Sequence, residues 1–390
     1  MMKATPIVGA MTGSLLFLWG CAVEKQPQLG DPLPGLTTNQ LVQFQTGKQA
    51  FQRVFTPQDG LGPLFNQNSC AQCHEDPVVG GVGEEIEIHA TKFSPPDMCD
   101  SLLQEGGPVF ETQATPLLQA HGITNDPVPP DATGIGRRTP PPLFGFGLVD
   151  AIPEAAILAN AHTNAAYGIH GHANRTIDGR VGRFGHKADV ATLFDFNVGA
   201  YHDEMGITSA LEPMEKTVDG TPVPPDTILG PEPNISLEEI SNTTAFIQFL
   251  APPPPQIFTN YQDQALAKRG KYLFASLKCA ECHVPEMKTS ANAINALNYK
   301  TVALYSDLLV HDLGTNLADI CLQQAAPSEF RTAPLMGLRF HVDGLLHDAS
   351  ATNAQQAIER HDGEARKSAD EFKALGEADK KALLKFLDSI

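Results

Sequence analysis

Apolar and polar positions along this 390-residue chain follow a helical period in four stretches. Two of them carry a Gly-Lys pair followed by aromatics, Gly47-Lys48-Gln49-Ala50-Phe51 and Gly270-Lys271-Tyr272-Leu273-Phe274. The other two are Leu237 to Leu250, with Ile240, Phe246, Ile247 and Leu250 on one side, and Glu377 to Ile390, with Leu383, Phe386, Leu387 and Ile390. Stripes at this spacing mark helices that pack on a core. An Arg-Thr-Pro-type segment lies between the members of each pair, Arg138 to Gly145 and then Arg331 to Gly337, so the chain repeats one plan twice. Ala251-Pro252-Pro253-Pro254-Pro255 cannot continue a helix and separates the repeats into units of 40–250 and 256–390. The pattern predicts a mainly α fold of two tandem units with long Pro-rich loops near 121–143 and 210–236, where little β patterning is visible.

The N-terminus reads as a targeting segment. Lys3 precedes an apolar run from Ile7 to Leu18, too short to span a bilayer comfortably, and Leu18-Trp19-Gly20-Cys21 resembles a lipobox. The expectation is export, with residues 1–21 as leader and a lipid on Cys21 as the sole tie to a membrane, placing the protein in the periplasm on the outer membrane. A net charge of −18 argues against nucleic acid as a partner and fits small basic redox proteins better.

Cysteine spacing changes the picture most. Four of seven cysteines fall in Cys70-Ala-Gln-Cys73-His74 and Cys279-Ala-Glu-Cys282-His283. Cys-x-x-Cys-His is the signature of c-type haem attachment: two thiols bond the vinyl groups and the histidine becomes proximal iron ligand. Two such motifs in an exported chain predict two covalently bound haems c and two cytochrome c-like domains. Cys99 and Cys321, one in each half, either pair as a disulfide or remain two buried thiols.

The layout resembles the bacterial di-haem cytochrome c peroxidase and MauG superfamily, within it the di-haem oxidoreductase branch often labelled thiol oxidoreductase. The residues that carry the resemblance are Gly60 to Asn66, Pro142 to Gly147, Gly182-Arg183-Phe184-Gly185, Glu204 to Thr208, Ser306 to Asp312 and Phe330 to Gly363. It implies that the second haem takes a sixth ligand from a helix after a His-Asp-Gly-like turn. Here that turn is Leu346-His347-Asp348-Ala349, and His361 stands at the ligand position, unless it is a surface histidine of that helix. Two imidazoles would make this a site for moving electrons.

The first haem is then the candidate for chemistry. His89, beyond the Gly80-Gly81-Val82-Gly83 loop, sits where resting peroxidases carry a capping histidine, and Glu154 falls near the place of a distal acid. A loop histidine and a helix-start carboxylate beside Pro153 are the alternative readings. The first repeat places Asn160 in register with His361, a poor iron ligand. Relatives often have tryptophan where this chain has His186, and Trp19 is the chain's single tryptophan. The reading is a di-haem oxidoreductase that reduces hydrogen peroxide or another small oxidant, with a small redox protein as electron donor or acceptor. Its rival is a non-enzymatic electron-transfer lipoprotein. Calcium is implied by the resemblance alone.

Overall fold

A computed structural model describes Met1 and residues 26–390, apart from Asp97, Val342 and Asp343. The lipobox and the rest of the expected leader lie outside the described residues. The helices that carry the core and the site are α1 (Thr38–Phe51), α2 (Glu154–Leu158), α3 (Leu193–Met205), α4 (Leu237–Phe249), α5 (Tyr261–Ser276), α6 (Ala354–Arg360) and α7 (Glu377–Leu387).

Each repeat is built on one crossing of its opening and closing helices, α1 with α4 and α5 with α7. Glycine allows the close approach. A Cβ at Gly47 would lie 2.2 Å from the Asn242 carbonyl oxygen, and one at Gly270 would lie 2.0 Å from that of Ala382. Phe44, Phe51 and Phe246 fill the first crossing, with ring centroids 5.3 and 5.0 Å apart. Leu273, Phe274, Leu383, Phe386 and Leu387 fill the second. The stripes expected on the closing helices are buried as predicted, with Ile390 half-buried at the end of the second. The largest apolar cluster draws on both halves, joining Phe51 and Phe246 to Leu297, Val302, Leu304 and Leu308.

The expectation of a mainly α fold is overturned: helix takes 34% and strand 15%, with several small antiparallel sheets. The principal sheet centres on β1 (Glu87–Ser94), which pairs with β2 (Met98–Asp100), β3 (Val109–Phe110) and β4 (Gly134–Arg138). A second joins β5 (Val310–Asp312) to β6 (Glu329–Arg331). Most strands are two or three residues long, below the length at which a period of two can be recognised. β4 lies inside the stretch read as a Pro-rich loop, because Gly134-Ile135-Gly136-Arg137-Arg138 has the extended backbone but no apolar alternation.

Cys99 on β2 and Cys321 form a disulfide across 222 positions, with Cα atoms 5.8 Å apart. Near it Asp319 from the second half meets Arg138 from the first, and both side chains are buried. Lys187 lies 3.5 Å and His347 3.4 Å from the same carboxylate. Among the described residues no helix is long and apolar enough to cross a membrane.

Candidate functional site

Each Cys-x-x-Cys-His motif folds into a single helical turn, which brings both thiols and the histidine to one side. Ser69 caps the first turn, accepting from the Ala71 N–H at 3.3 Å, and the His74 N–H donates to the Cys70 carbonyl at 3.2 Å. In the second the His283 N–H donates to the Cys279 carbonyl at 2.9 Å. No disulfide joins the cysteines of either motif. Burial pushes the thiols of Cys70 and Cys279 up to about 12 and raises Cys73 and Cys282 as well. Both thiols of each motif are free, as thioether attachment to a haem requires.

The second motif opens on a cavity of about 560 Å³ whose walls include Cys279, Cys282, His283, Phe274, Leu383 and His361. His283 and His361 face one another with ring centroids 6.5 Å apart. Nδ1 of His283 meets the Tyr305 carbonyl oxygen at 3.0 Å, and Nδ1 of His361 meets that of Ala357 at 2.7 Å. Both Nδ1–H groups are thereby engaged, which leaves the Nε2 lone pairs for a shared ligand and fixes the tautomer as metal-bound histidines require. Burial keeps both rings neutral: His283 is pushed down to about 4, aided by His361, and His361 is lowered too. Size, apolar walls, two thiols and two opposed neutral imidazoles fit a haem. The sequence-predicted His361 is therefore brought to the motif, at the C-terminal end of α6.

The first motif is built differently. His74 Nδ1 lies 3.1 Å from the Gly81 carbonyl oxygen, and burial lowers this histidine also. The Gly80–Gly83 loop presses on the motif, since a Cβ at Gly83 would sit 2.3 Å from the Cys73 carbonyl oxygen. Phe51 is the ring packed against His74, at 6.1 Å, and no histidine ring faces it among the described residues. His89 stands on β1 with Nε2 3.2 Å from Glu87 Oε2 and with Nδ1 buried and unpartnered. Glu154 opens α2 and accepts from the Val181 N–H at 3.1 Å, which is the helix-start arrangement. Asn160 is not over His74 either; its Nδ2 donates to the Asp307 carbonyl at 3.1 Å, beside the second motif.

Sequence reasoning missed the carboxyl groups whose charges act on Cys73. Glu87, Glu204 and Glu85 all act on its thiol. Glu204, on α3, accepts from Asn66 Nδ2 at 2.9 Å, and burial together with the charge of Glu87 holds it well above the usual carboxylate range. The stretch Glu204-Met205-Gly206 was visible as a motif, but nothing in its spacing said that it folds onto Cys73.

His186 also lines the cavity, with Nε2 buried and unpartnered. Burial, reinforced by Arg138 and His347, holds it well below the usual histidine range. Among the described residues one trio, Cys282, Asp307 and His311, has the spacing of a metal site. His311 is closed to metal, because Asp307 Oδ2 and Glu364 Oε2 each lie 2.8 Å from one of its ring nitrogens. Against the cost of burial, those contacts and the Cys282 thiol raise it to about 12, so it is an imidazolium with no lone pair to offer. A thiol and an imidazolium also do not suit calcium, which takes oxygen donors.

A search of curated proteins finds no match to the chain. Among solved structures, hydrazine synthase of Kuenenia stuttgartiensis, pressurised with 20 bar of xenon, is similar at 12% identity and a TM-score of 0.42, covering 100% of both chains. That likeness is too slight to assign a fold. Residues 119–390, from before β4 to the C-terminus, match one family over about two thirds of the chain. With two Cys-x-x-Cys-His turns and a histidine pair across a haem-sized cavity, the chain belongs to the family described as "di-haem oxidoreductase, putative peroxidase", with the haem cofactors and redox function that this implies.

Proposed function

We propose that this chain is an exported di-haem c-type oxidoreductase that reduces hydrogen peroxide. Cys70 and Cys73 would hold one haem through thioethers, with His74 as proximal ligand. Cys279 and Cys282 would hold the other between His283 and His361. The observation that carries this reading is the unequal histidine supply: two opposed imidazoles at the second motif, one at the first. A haem held between two histidines would supply electron transfer, and one held by a single histidine would supply peroxide reduction, in which two electrons and two protons convert one peroxide to two waters. Electrons would thus enter at the second site and be used at the first. Export and a lipid on Cys21 are inferred from the leader and suit haem c, which is assembled outside the cytoplasm.

The protein's own part at the first site is proton handling. Glu204, rather than Glu154, is the group for it. Burial and Glu87 favour its protonated form and its charge acts on the Cys73 thiol, whereas Glu154 accepts from the Val181 amide at the start of α2. A neutral carboxyl group delivers a proton, and Asn66 holds it in place. The denatured holoprotein should weigh the mature chain plus two haems. Half-reduced holoprotein should react with peroxide at one haem only; Glu204→Gln should slow that step by ~10²-fold and Glu154→Gln should not. Peroxide-inert protein in every redox state would favour the electron-carrier alternative.

A further inference from the structure

The glycines at the two helix crossings put the repeats in register, and the register shows where they differ. Aligning Gly47 of α1 with Gly270 of α5 pairs Gln45 with Lys268, Thr46 with Arg269, Gln49 with Tyr272 and Thr38 with Tyr261. All eight positions are exposed. The buried faces keep the same aromatic packing and Lys48 matches Lys271, so the change lies on the outer face, where the second helix adds two tyrosines, Lys268 and Arg269.

That outer face is not explained by stability. Tyr261 is 85% and Tyr272 63% exposed. Lys268 precedes Tyr272 by one helical turn and Lys271 flanks it. Neither lysine has a carboxylate within 4 Å among the described residues, because Asp263 faces Lys385 at 3.9 Å and Asp379 is taken by Arg269 at 2.7 Å. The charge of the whole molecule makes this more unusual. Residues 26–255 hold 10 basic and 27 acidic side chains, whereas residues 256–390 hold 15 and 17. Two exposed tyrosines beside Arg269 match the aromatic and arginine enrichment of interfaces, and the free lysines give a cationic rim on the nearly neutral half of a strongly acidic protein.

The stripe also points at the site. Phe274, on the buried face of the same helix, lies 6.3 Å from the His283 ring, so only the width of α5, ~10 Å, separates Tyr272 from the second haem site. The stripe runs toward Lys278, which stands beside Cys279 at the edge of the cavity.

We infer that the outer face of α5, with Tyr261, Lys268, Lys271 and Tyr272, docks a small acidic redox protein that exchanges electrons with the second haem site. This deepens the proposed function and rests on it. It reverses the partner charge that the net charge suggests, since the local field and not the total governs a docked encounter. In the transfer one electron leaves the reduced partner and enters this chain; no bond is made or broken and no proton moves.

The test is stopped-flow reduction of the holoprotein by an acidic probe, reduced cytochrome b5, and by a basic one, reduced mitochondrial cytochrome c. The wild-type rate with the acidic probe should fall as salt is raised. Lys268→Glu/Lys271→Glu should lower it by ~10-fold or more at low salt, and Gln45→Glu/Gln49→Glu on α1 should leave it unchanged. Tyr272→Ser should raise the probe concentration needed for half-saturation without altering the limiting rate. Denatured mass and visible spectra are compared first, so that loss of haem, which would sink the proposed function, is told apart from loss of docking. A rate that rises with salt for the acidic probe overturns the inference. So does an unchanged Lys268→Glu/Lys271→Glu rate, a preference for the basic probe, or a dimer in sedimentation that the double variant dissociates.

Discussion

The two Cys-x-x-Cys-His turns start from the same local chemistry and end in different surroundings. Both close a turn on a backbone bond from the histidine to the first cysteine, and both engage histidine Nδ1 with a carbonyl. The chain downstream of each turn separates them. After Cys282 it returns α6 and puts His361 opposite His283. After Cys73 it runs into β1, and α3 brings Glu204 instead. A repeated scaffold thus holds a histidine pair at one site and carboxyl groups near the other, and the proposed division of electron transfer from proton-coupled chemistry rests on that difference.

The seam between the repeats carries the largest effect on stability. Asp319→Asn leaves Arg138 buried without its counter-charge and should lower unfolding free energy by about 3–5 kcal/mol in urea titrations. The wild type should show the same dependence on pH. Burial alone would raise Asp319, but the bond from Arg138 and its charge outweigh it and lower the group from 3.8. A carboxyl depressed on folding contributes stability above its unfolded value and loses it as pH falls through the folded one. Acid below about pH 4 should therefore weaken the wild type more steeply than Asp319→Asn.

The paired crossings come next. Gly47→Val and Gly270→Val each drive a side chain into a backbone carbonyl and should each cost about 1–3 kcal/mol. Similar losses would support equivalent scaffolds; a large loss at one alone would break the equivalence. The smallest effect compares the closing helices. Ser236 caps α4 in a reciprocal box with Glu239, and Ser236→Ala should cost about 1 kcal/mol. α7 starts at Gly376 with no side-chain cap and open space around it, so Gly376→Ser should add a few tenths of a kcal/mol.

Local spacing was what the sequence made legible. The thiols and proximal histidines lie within five residues of one another, and His361 was readable because the turn before it carries a resemblance. The helices that make the two crossings could be read from apolar stripes, though not which helix meets which. Contacts between distant segments were harder: Cys99 with Cys321, 222 positions apart, was one of two readings left open, and Arg138 with Asp319, 181 apart, left no trace. Glu154 stands out over Glu204 because it falls near the place of a distal acid in the family that the chain resembles, while nothing in the sequence shows that α3 carries Glu204 toward the first motif. Strands of two or three residues leave no periodic trace, and the longer β1 and β4 lack a clean apolar alternation, so the sheets around β1 were absent from the expectation.

The unequal histidine supply is tested most directly by electron paramagnetic resonance of the holoprotein, oxidised and half-reduced, beside His361→Ala. The account predicts one low-spin signal from a haem with two histidine ligands, which His361→Ala converts to high-spin. It also predicts that the other haem is high-spin in the wild type, or becomes so on half-reduction. Two low-spin signals that persist in both redox states, unchanged by His361→Ala, would contradict it.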